Sequence, residues 1–205
     1  MLRWMKSLLS FQNAAAKDYL IVGLGNPGSS YEKTRHNVGF RAVRYFAKRH
    51  GMGLRREDRI VAEIGRGKVL GAKVEVVLPL TYMNSSGEAV RACAKVFKMP
   101  LKQMVVVVDD VALPFGVLRL KSEGSSGGHN GLKSVEEHLG TDVYPRLRIG
   151  VGNPKKGSMV DYVLGKFEPS EEDLLPQVFE KAADVLDCWI HEGIQPAMTK
   201  ANTKE

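Results

Sequence analysis
Short apolar runs alternate with amphipathic stretches along most of this chain, and few architectures satisfy that alternation. Tyr19–Leu24 and Met104–Val108 are almost wholly apolar and end at glycine, proline or acids, the pattern of strands buried on both faces. Ile60–Ile64, Val74–Leu78, Val117–Leu120 and Leu147–Val151 read as further strands. A helix is expected over about Val38–Arg49, with Asn37 as its N-cap, Phe40, Val43, Phe46 and Ala47 as its apolar stripe, and Gly51 as its stop. Ser85 and Glu88 have capping-box spacing and open a helix with Val90, Cys93, Ala94 and Phe97 inside, which Pro100 ends. A glycine-rich stretch, Gly124–Gly131, leads into a helix ending near His138. Ser170 with Asp173 caps a helix whose stripe is Leu175, Phe179, Ala182, Leu186 and Trp189, with Pro176 either kinking it or marking its true start. Strands separated by helices require a twisted, largely parallel sheet covered on both faces, a single-domain α/β fold.

Composition narrows the class further. With 205 residues, 43% hydrophobic and 26% charged, the chain is neither disordered nor fibrous. Its length buries a core without staples, and its two cysteines make neither a disulfide framework nor a four-thiolate zinc site. No apolar run approaches the roughly 20 residues of a membrane span. The formal charge is +7, and residues 1–60 carry twelve basic side chains against four acids. Such a field attracts polyanions, although a solvated basic helix face gives the same count. Residues 1–18 are basic and weakly amphipathic, and Arg3 and Lys6 break any signal-peptide core. They are expected to form a flexible extension ahead of a catalytic domain over 19–205. The expected location is cytoplasmic, with an organellar stroma or matrix as the alternative if this extension is a transit segment.

Ligands of open α/β sheets bind beyond the carboxyl ends of the strands, and polar residues concentrate there. The first strand is followed by Asn26, Tyr31 and Thr34-Arg35-His36-Asn37, the strand at Val74 by Tyr82-Met83-Asn84, and the strand at Met104 by Asp109-Asp110. The glycine loop carries His129-Asn130. A histidine serves as a general base near neutral pH when a carboxylate fixes its tautomer, and Asp109 is the best such carboxylate for His36. Taken singly, His36 reads as a surface or capping histidine, and Asp109-Asp110 as a turn or a magnesium site. No further acids gather near them to hold a dedicated metal. Amides at Asn26, Asn84 and Asn130 orient water or donate to an oxyanion, although turn and cap bonding is the commoner fate of asparagine. The glycine loop before its helix offers N–H groups to a phosphate, with Lys121, Lys133, Arg146 and Arg148 near its ends.

Gly23-Leu24-Gly25-Asn26-Pro27-Gly28 matches the dinucleotide fingerprint, but Pro27 has no N–H for a pyrophosphate and no acid follows at the required distance. These glycines read instead as a tight turn presenting Asn26. There is no nucleophile elbow, so Ser85 and Ser86 read as caps. His50, His138 and His191 read as structural or surface residues, and Cys93 as core.

These segments together resemble the bacterial-type peptidyl-tRNA hydrolase family. The resemblance rests on Leu20–Gly28, Tyr31, Thr34–Phe40, Tyr82-Met83-Asn84 with Ser86-Gly87, and Asp109-Asp110 with Leu113-Pro114 and Gly116. It continues through Gly127–Gly131, Pro145–Arg148 and Val163–Phe167, in order across roughly residues 19–200. It implies a three-layer α/β/α domain on a mixed sheet, monomeric, with no metal and no cofactor. The implied reaction is hydrolysis of the ester joining peptide to the 3′ end of tRNA, with the acceptor stem and 3′ end as the bound partner and no membrane. Under the resemblance His36 is the base and Asp109 its partner, Asn26 and Asn84 hold peptide and water, and Tyr31 and Met83 line the cleft. Asn130 holds substrate, the His129 loop acts as a gate, and Lys121 and Arg148 clamp a phosphate. Three features depart from the family pattern: Glu123 where glycine is common, Ala112 where an acid is common, and the longer tail. The family also includes plant organelle relatives active in intron splicing, so a non-catalytic RNA-binding factor is the competing reading.

Overall fold
A computed structural model describes residues 18–154 and 157–203; the extension expected over residues 1–18 therefore lies outside the described residues, apart from Asp18. The elements run β1 Asp18–Gly23, α1 Val38–Arg49, β2 Arg55–Glu57, β3 Ala62–Val69, β4 Ala72–Pro79 and α2 Ser86–Val96. They continue with β5 Met104–Asp110, β6 Leu118–Lys121, α3 Asn130–Leu139, β7 Arg146–Gly150, α4 Met159–Leu164, α5 Pro169–Glu192 and α6 Ile194–Asn202. All seven strands form one sheet in the order β2-β3-β4-β1-β5-β7-β6. The core pairs β1–β4, β1–β5 and β5–β7 are parallel, while β2, β3 and β6 join by antiparallel pairing. The sheet is thus mixed and mostly parallel, with antiparallel additions at its two margins.

Strand alternation divides the core in two. Tyr19, Ile21, Val105 and Val107 face α1, α5 and α6. Leu20, Val22, Val106 and Val108 face α2 and α3. Chain order sends β1 through α1 to β4 on one side, then back through α2 to β5 on the other. The carboxyl end of β1 is therefore a topological switch point, where a crevice opens between neighbouring connections.

Close backbone approach fixes how α1 meets that crevice. A Cβ on Gly39 would strike the carbonyl oxygens of Val107 and Leu24, so glycine is what lets the first turn of α1 rest on the strand ends. Phe40 N–H donates to Leu24 O at 3.1 Å and completes that seat. Gly25 serves the same contact, since a Cβ there would meet the Phe40 ring at 2.6 Å. Gly23 and Gly25 thus permit close packing, while Gly28, at φ of 102°, opens the expected turn, with Tyr31 N–H donating to its carbonyl at 3.1 Å.

Other expectations are corrected by local competition. Neither Asn37 nor Ser85 makes a side-chain cap to the helix it precedes. Helix α5 starts at Pro169, with Glu168 and Glu171 forming the capping box expected of Ser170 and Asp173, and Pro176 lies inside it. The strand expected at Ile60–Ile64 lies further on, paired with β4 through a turn in which Leu70 and Gly71 take positive φ of 50° and 85°.

Part of the charge asymmetry is resolved internally. Arg35 pairs with Glu171 at 3.0 Å, Arg41 with Glu172 at 2.5 Å, and Arg49 with Asp184 at 2.7 Å and Glu180 at 3.3 Å. Three of the twelve basic side chains in the first 60 residues are thus spent on acids of α5, and Arg44 pairs with Glu63 of β3 at 2.8 Å.

Candidate active site
His36 sits in a short 3-10 turn, Arg35–Asn37, between β1 and α1, and both neighbours fix it. Arg35 is buried, its guanidinium 4.3 Å from the Tyr162 ring centroid and 5.4 Å from that of Phe167. It donates to Lys166 O at 2.5 Å and to Glu171 at 3.0 Å, while its backbone N–H donates to Gly165 O at 2.9 Å. On the other side, Asn37 uses its whole amide on one residue. Its Oδ1 accepts from Asn26 N–H at 2.8 Å and its Nδ2 donates to Asn26 O at 2.9 Å. The side chain read as a cap is therefore the clamp that holds the loop after β1. Its position just before a helix concealed this, because a cap and a clamp look alike in sequence.

The structure brings His36 and Asp109 together. The imidazole Nδ1 lies 2.8 Å from Asp109 Oδ1, across 73 residues of chain. Asp109 is 3% exposed, whereas His36 keeps 9% of its surface open, and its Nε2 has no hydrogen bond among the described residues. His129 reaches the same carboxylate oxygen, Nε2 to Oδ1, at 2.9 Å. Burial alone would push the Asp109 carboxyl up; the two imidazoles beside it reverse this and hold it well below the usual carboxylate range. Asp109 is thereby a fixed anion, and a fixed anion orients an imidazole with Nδ1–H inward and a basic Nε2 outward.

Strand alternation separates the two adjacent acids. Asp109 turns to the histidines, while Asp110 Oδ2 accepts from Arg148 at 3.2 Å and Oδ1 accepts from Ala112 N–H at 2.8 Å. Arg148 also donates to the carbonyls of Ser125 and Ser126, at 3.0 and 3.1 Å. It is a buried residue that ties the glycine loop to the end of β5. Arg146 is fully buried beneath the same loop, donating to the carbonyls of Gly124 and Asp142. Sequence proximity to the loop suggested phosphate contact for Arg146, but its buried guanidinium serves the loop itself. Lys121, on the edge strand β6, is exposed, as are Lys133 and Glu123.

The remaining candidates surround this centre. Asn26 is buried, and its Oδ1 accepts from Met83 N–H at 2.8 Å, so its amide NH2 is the group left for a ligand. Met83 is 2% exposed and packs beneath the cleft, its sulfur beside Gly131. Tyr31 meets the exposed Tyr82 edge to face, with ring centroids 6.4 Å apart. Asn84 and Asn130 are exposed near the starts of α2 and α3. His50 pairs with Asp187 at 2.9 Å, and Cys93 is core, its thiol pushed up to about 12 by burial.

His36, Asp109 and His129 are also the described residues' one cluster whose donor atoms, all within 4.8 Å of one another, suit a metal ion. Asp109 Oδ1 faces two imidazole nitrogens at hydrogen-bond distance, and Leu132 N–H donates to His129 Nδ1 at 3.2 Å.

A histidine–aspartate pair at the carboxyl end of a parallel sheet, ringed by amides and backed by a glycine loop, is a combination with known relatives. The peptidyl-tRNA hydrolase family model matches residues 20–205. The chain belongs to the peptidyl-tRNA hydrolase family. The peptidyl-tRNA hydrolase of Synechococcus sp. (strain JA-3-3Ab) is 50% identical over 184 residues, 89% of this chain and 82% of that one. The Chloroflexus aggregans peptidyl-tRNA hydrolase is 48% identical, covering 90% of this chain and 98% of its own. The crystal structure of the Acinetobacter baumannii peptidyl-tRNA hydrolase superposes with a TM-score of 0.86 at 36% identity, covering 94% of this chain and 98% of that one. Among the described residues, no helix is long and apolar enough to cross a membrane.

Proposed function
We propose that this member of the peptidyl-tRNA hydrolase family cleaves the ester between peptide and tRNA by direct attack of water, with the His36–Asp109 pair as general base. The observation that carries the reading is the 2.8 Å contact from His36 Nδ1 to a buried carboxylate, with Nε2 left open. In the proposed step, His36 Nε2 takes a proton as water oxygen adds to the ester carbonyl. The Asn26 NH2, oriented by Met83 and clamped by Asn37, donates to the developing oxyanion. Collapse breaks the bond to the ribose 3′ oxygen, which takes the proton from His36. Free tRNA and a peptide carboxylate leave, so tRNA trapped as peptidyl-tRNA is recycled. The ester has an activated alcohol leaving group, which makes a covalent enzyme intermediate unnecessary.

Asn84 and Asn130, exposed near two helix starts, hold the peptide backbone, and Tyr31 with Tyr82 walls the cleft. Lys121 takes an acceptor-stem phosphate directly. Arg148 adds to that clamp by trading a loop carbonyl for phosphate, since its guanidinium is engaged in the free protein. A backbone clamp of this kind reads no bases and so accepts many tRNAs. One copy of the chain supplies every group named, so a monomer suffices.

The test is cleavage of an N-blocked aminoacyl-tRNA by the purified protein. Release of free tRNA with turnover is expected. Binding without cleavage would replace this reading with that of an RNA-binding factor.

A further inference from the structure
We propose that His129 is a positioning residue for Asp109, locked in one tautomer by the start of α3, and that it does not contact substrate. The inference rests on the hydrolase reading and deepens it. His129 is the N-cap of α3, and its Nδ1 accepts from Leu132 N–H at 3.2 Å. An acceptor nitrogen carries no proton, so the proton of the neutral ring is on Nε2. That nitrogen lies 2.9 Å from Asp109 Oδ1, where it donates. Both ring nitrogens are thus spent, and His129 has none left for a substrate.

The consequence falls on the base. Asp109 Oδ1 accepts two N–H groups, from His36 and His129, whose ring centroids are 5.0 Å apart. One donor would leave the carboxylate free to pivot with His36. Two donors from elements on opposite faces of the sheet fix it, and with it the direction of His36 Nε2. Helix α3 is the rigid part of this arrangement. Its first turn closes with Gly131 against Met83, where any Cβ would clash with the methionine sulfur. The glycine loop preceding it is held by Arg148 through Ser125 and Ser126.

Two substitutions separate the roles of the ring. His129→Asn retains a cap acceptor for Leu132 N–H but is too short to reach Asp109. His129→Gln extends an amide N–H toward Asp109 and gives up the cap. Steady-state cleavage of N-blocked aminoacyl-tRNA is measured for both, with wild type and His36→Ala alongside. The expected result for His129→Asn is a kcat lower by about tenfold or more, with KM within about twofold. His129→Gln recovers part of that kcat while melting lower. A raised KM with intact kcat in His129→Asn, or no change in either constant, overturns the proposal. A second readout is independent of turnover: the low-field proton NMR signal of the His36 Nδ1–H should move in His129→Asn. An unmoved signal overturns the positioning role, even if the wild-type protein cleaves nothing and the hydrolase reading itself fails.

Discussion

Two seams join distant parts of this chain through charged side chains, and they are built on opposite principles. Between α1 and α5, arginines meet carboxylates at the surface, as in Arg49 with Asp184 and Arg41 with Glu172. At the end of β5, one buried carboxylate meets two imidazoles and a neighbouring acid meets Arg148. The first seam has more charge, the second far less water. Exposed pairs gain little because solvent already stabilises each partner. Buried ones are costly to break, because a stranded partner has no solvent to turn to. The proposed general base sits on the second seam for the same reason: only where water is scarce does a fixed anion strongly orient an imidazole.

The largest expected contrast follows from removing the buried anion. Asp109→Asn should lower kcat by roughly 10²- to 10⁴-fold, because the base loses the group that orients it. A loss below tenfold would make the two seams equivalent. Next, Arg146→Met should cost about 3–5 kcal/mol in urea denaturation, since carbonyls of Gly124 and Asp142 lose their buried donor. A cost below about 1 kcal/mol would show the loop to be self-supporting. Lys121→Ala should raise KM and reduce the slope of its logarithm against salt by about one, sparing kcat. Smallest is Arg49→Ala, expected to cost about 0.2–1 kcal/mol per pair lost and to cost less at high salt. A larger, salt-independent loss would place the α1–α5 seam in the buried class.

Acid sharpens the comparison further. Glu172 is lowered chiefly by the hydrogen bonds from Arg41, while Asp109 is lowered by its two histidines against the opposing effect of burial. Both folded-state values lie below the unfolded ones. Each group therefore contributes stability that is fully present above the unfolded pKa of about 4 and is lost as pH falls through the folded value. Stability should decline below about pH 4, and Asp109→Asn should remove part of that decline where Glu172→Gln removes less. Equal changes from both substitutions would contradict the distinction drawn here.

Legibility in sequence tracked how local each determinant is. The limits of α1 were readable because its stripe and Gly51 are within one element. The central strands were readable because both their faces are apolar. Strand β2, Arg55–Glu57, carries no apolar pattern and exists only through its partner β3. Helix α4, with no buried residue, and α6 were equally silent. At the site, His36 and Asp109 could be paired in advance because strand ends converge in this class of sheet. Asn37 does not cap α1 because Asn26 competes successfully for its amide. The roles of Arg146 and Arg148 depend on which way alternate residues of β7 point and on the loop they meet, which charge counting does not contain. The surplus of basic residues is real, and the pairing of Arg35, Arg41 and Arg49 with acids of α5 is a tertiary fact.

The central claim is that the open nitrogen of His36 accepts the proton of the attacking water. Single-turnover cleavage of N-acetyl-aminoacyl-tRNA, with enzyme in excess, isolates that step from binding and product release. His36→Ala should slow it by roughly 10²- to 10⁴-fold while retaining tRNA affinity. Cleavage by His36→Ala at the wild-type rate would contradict the account.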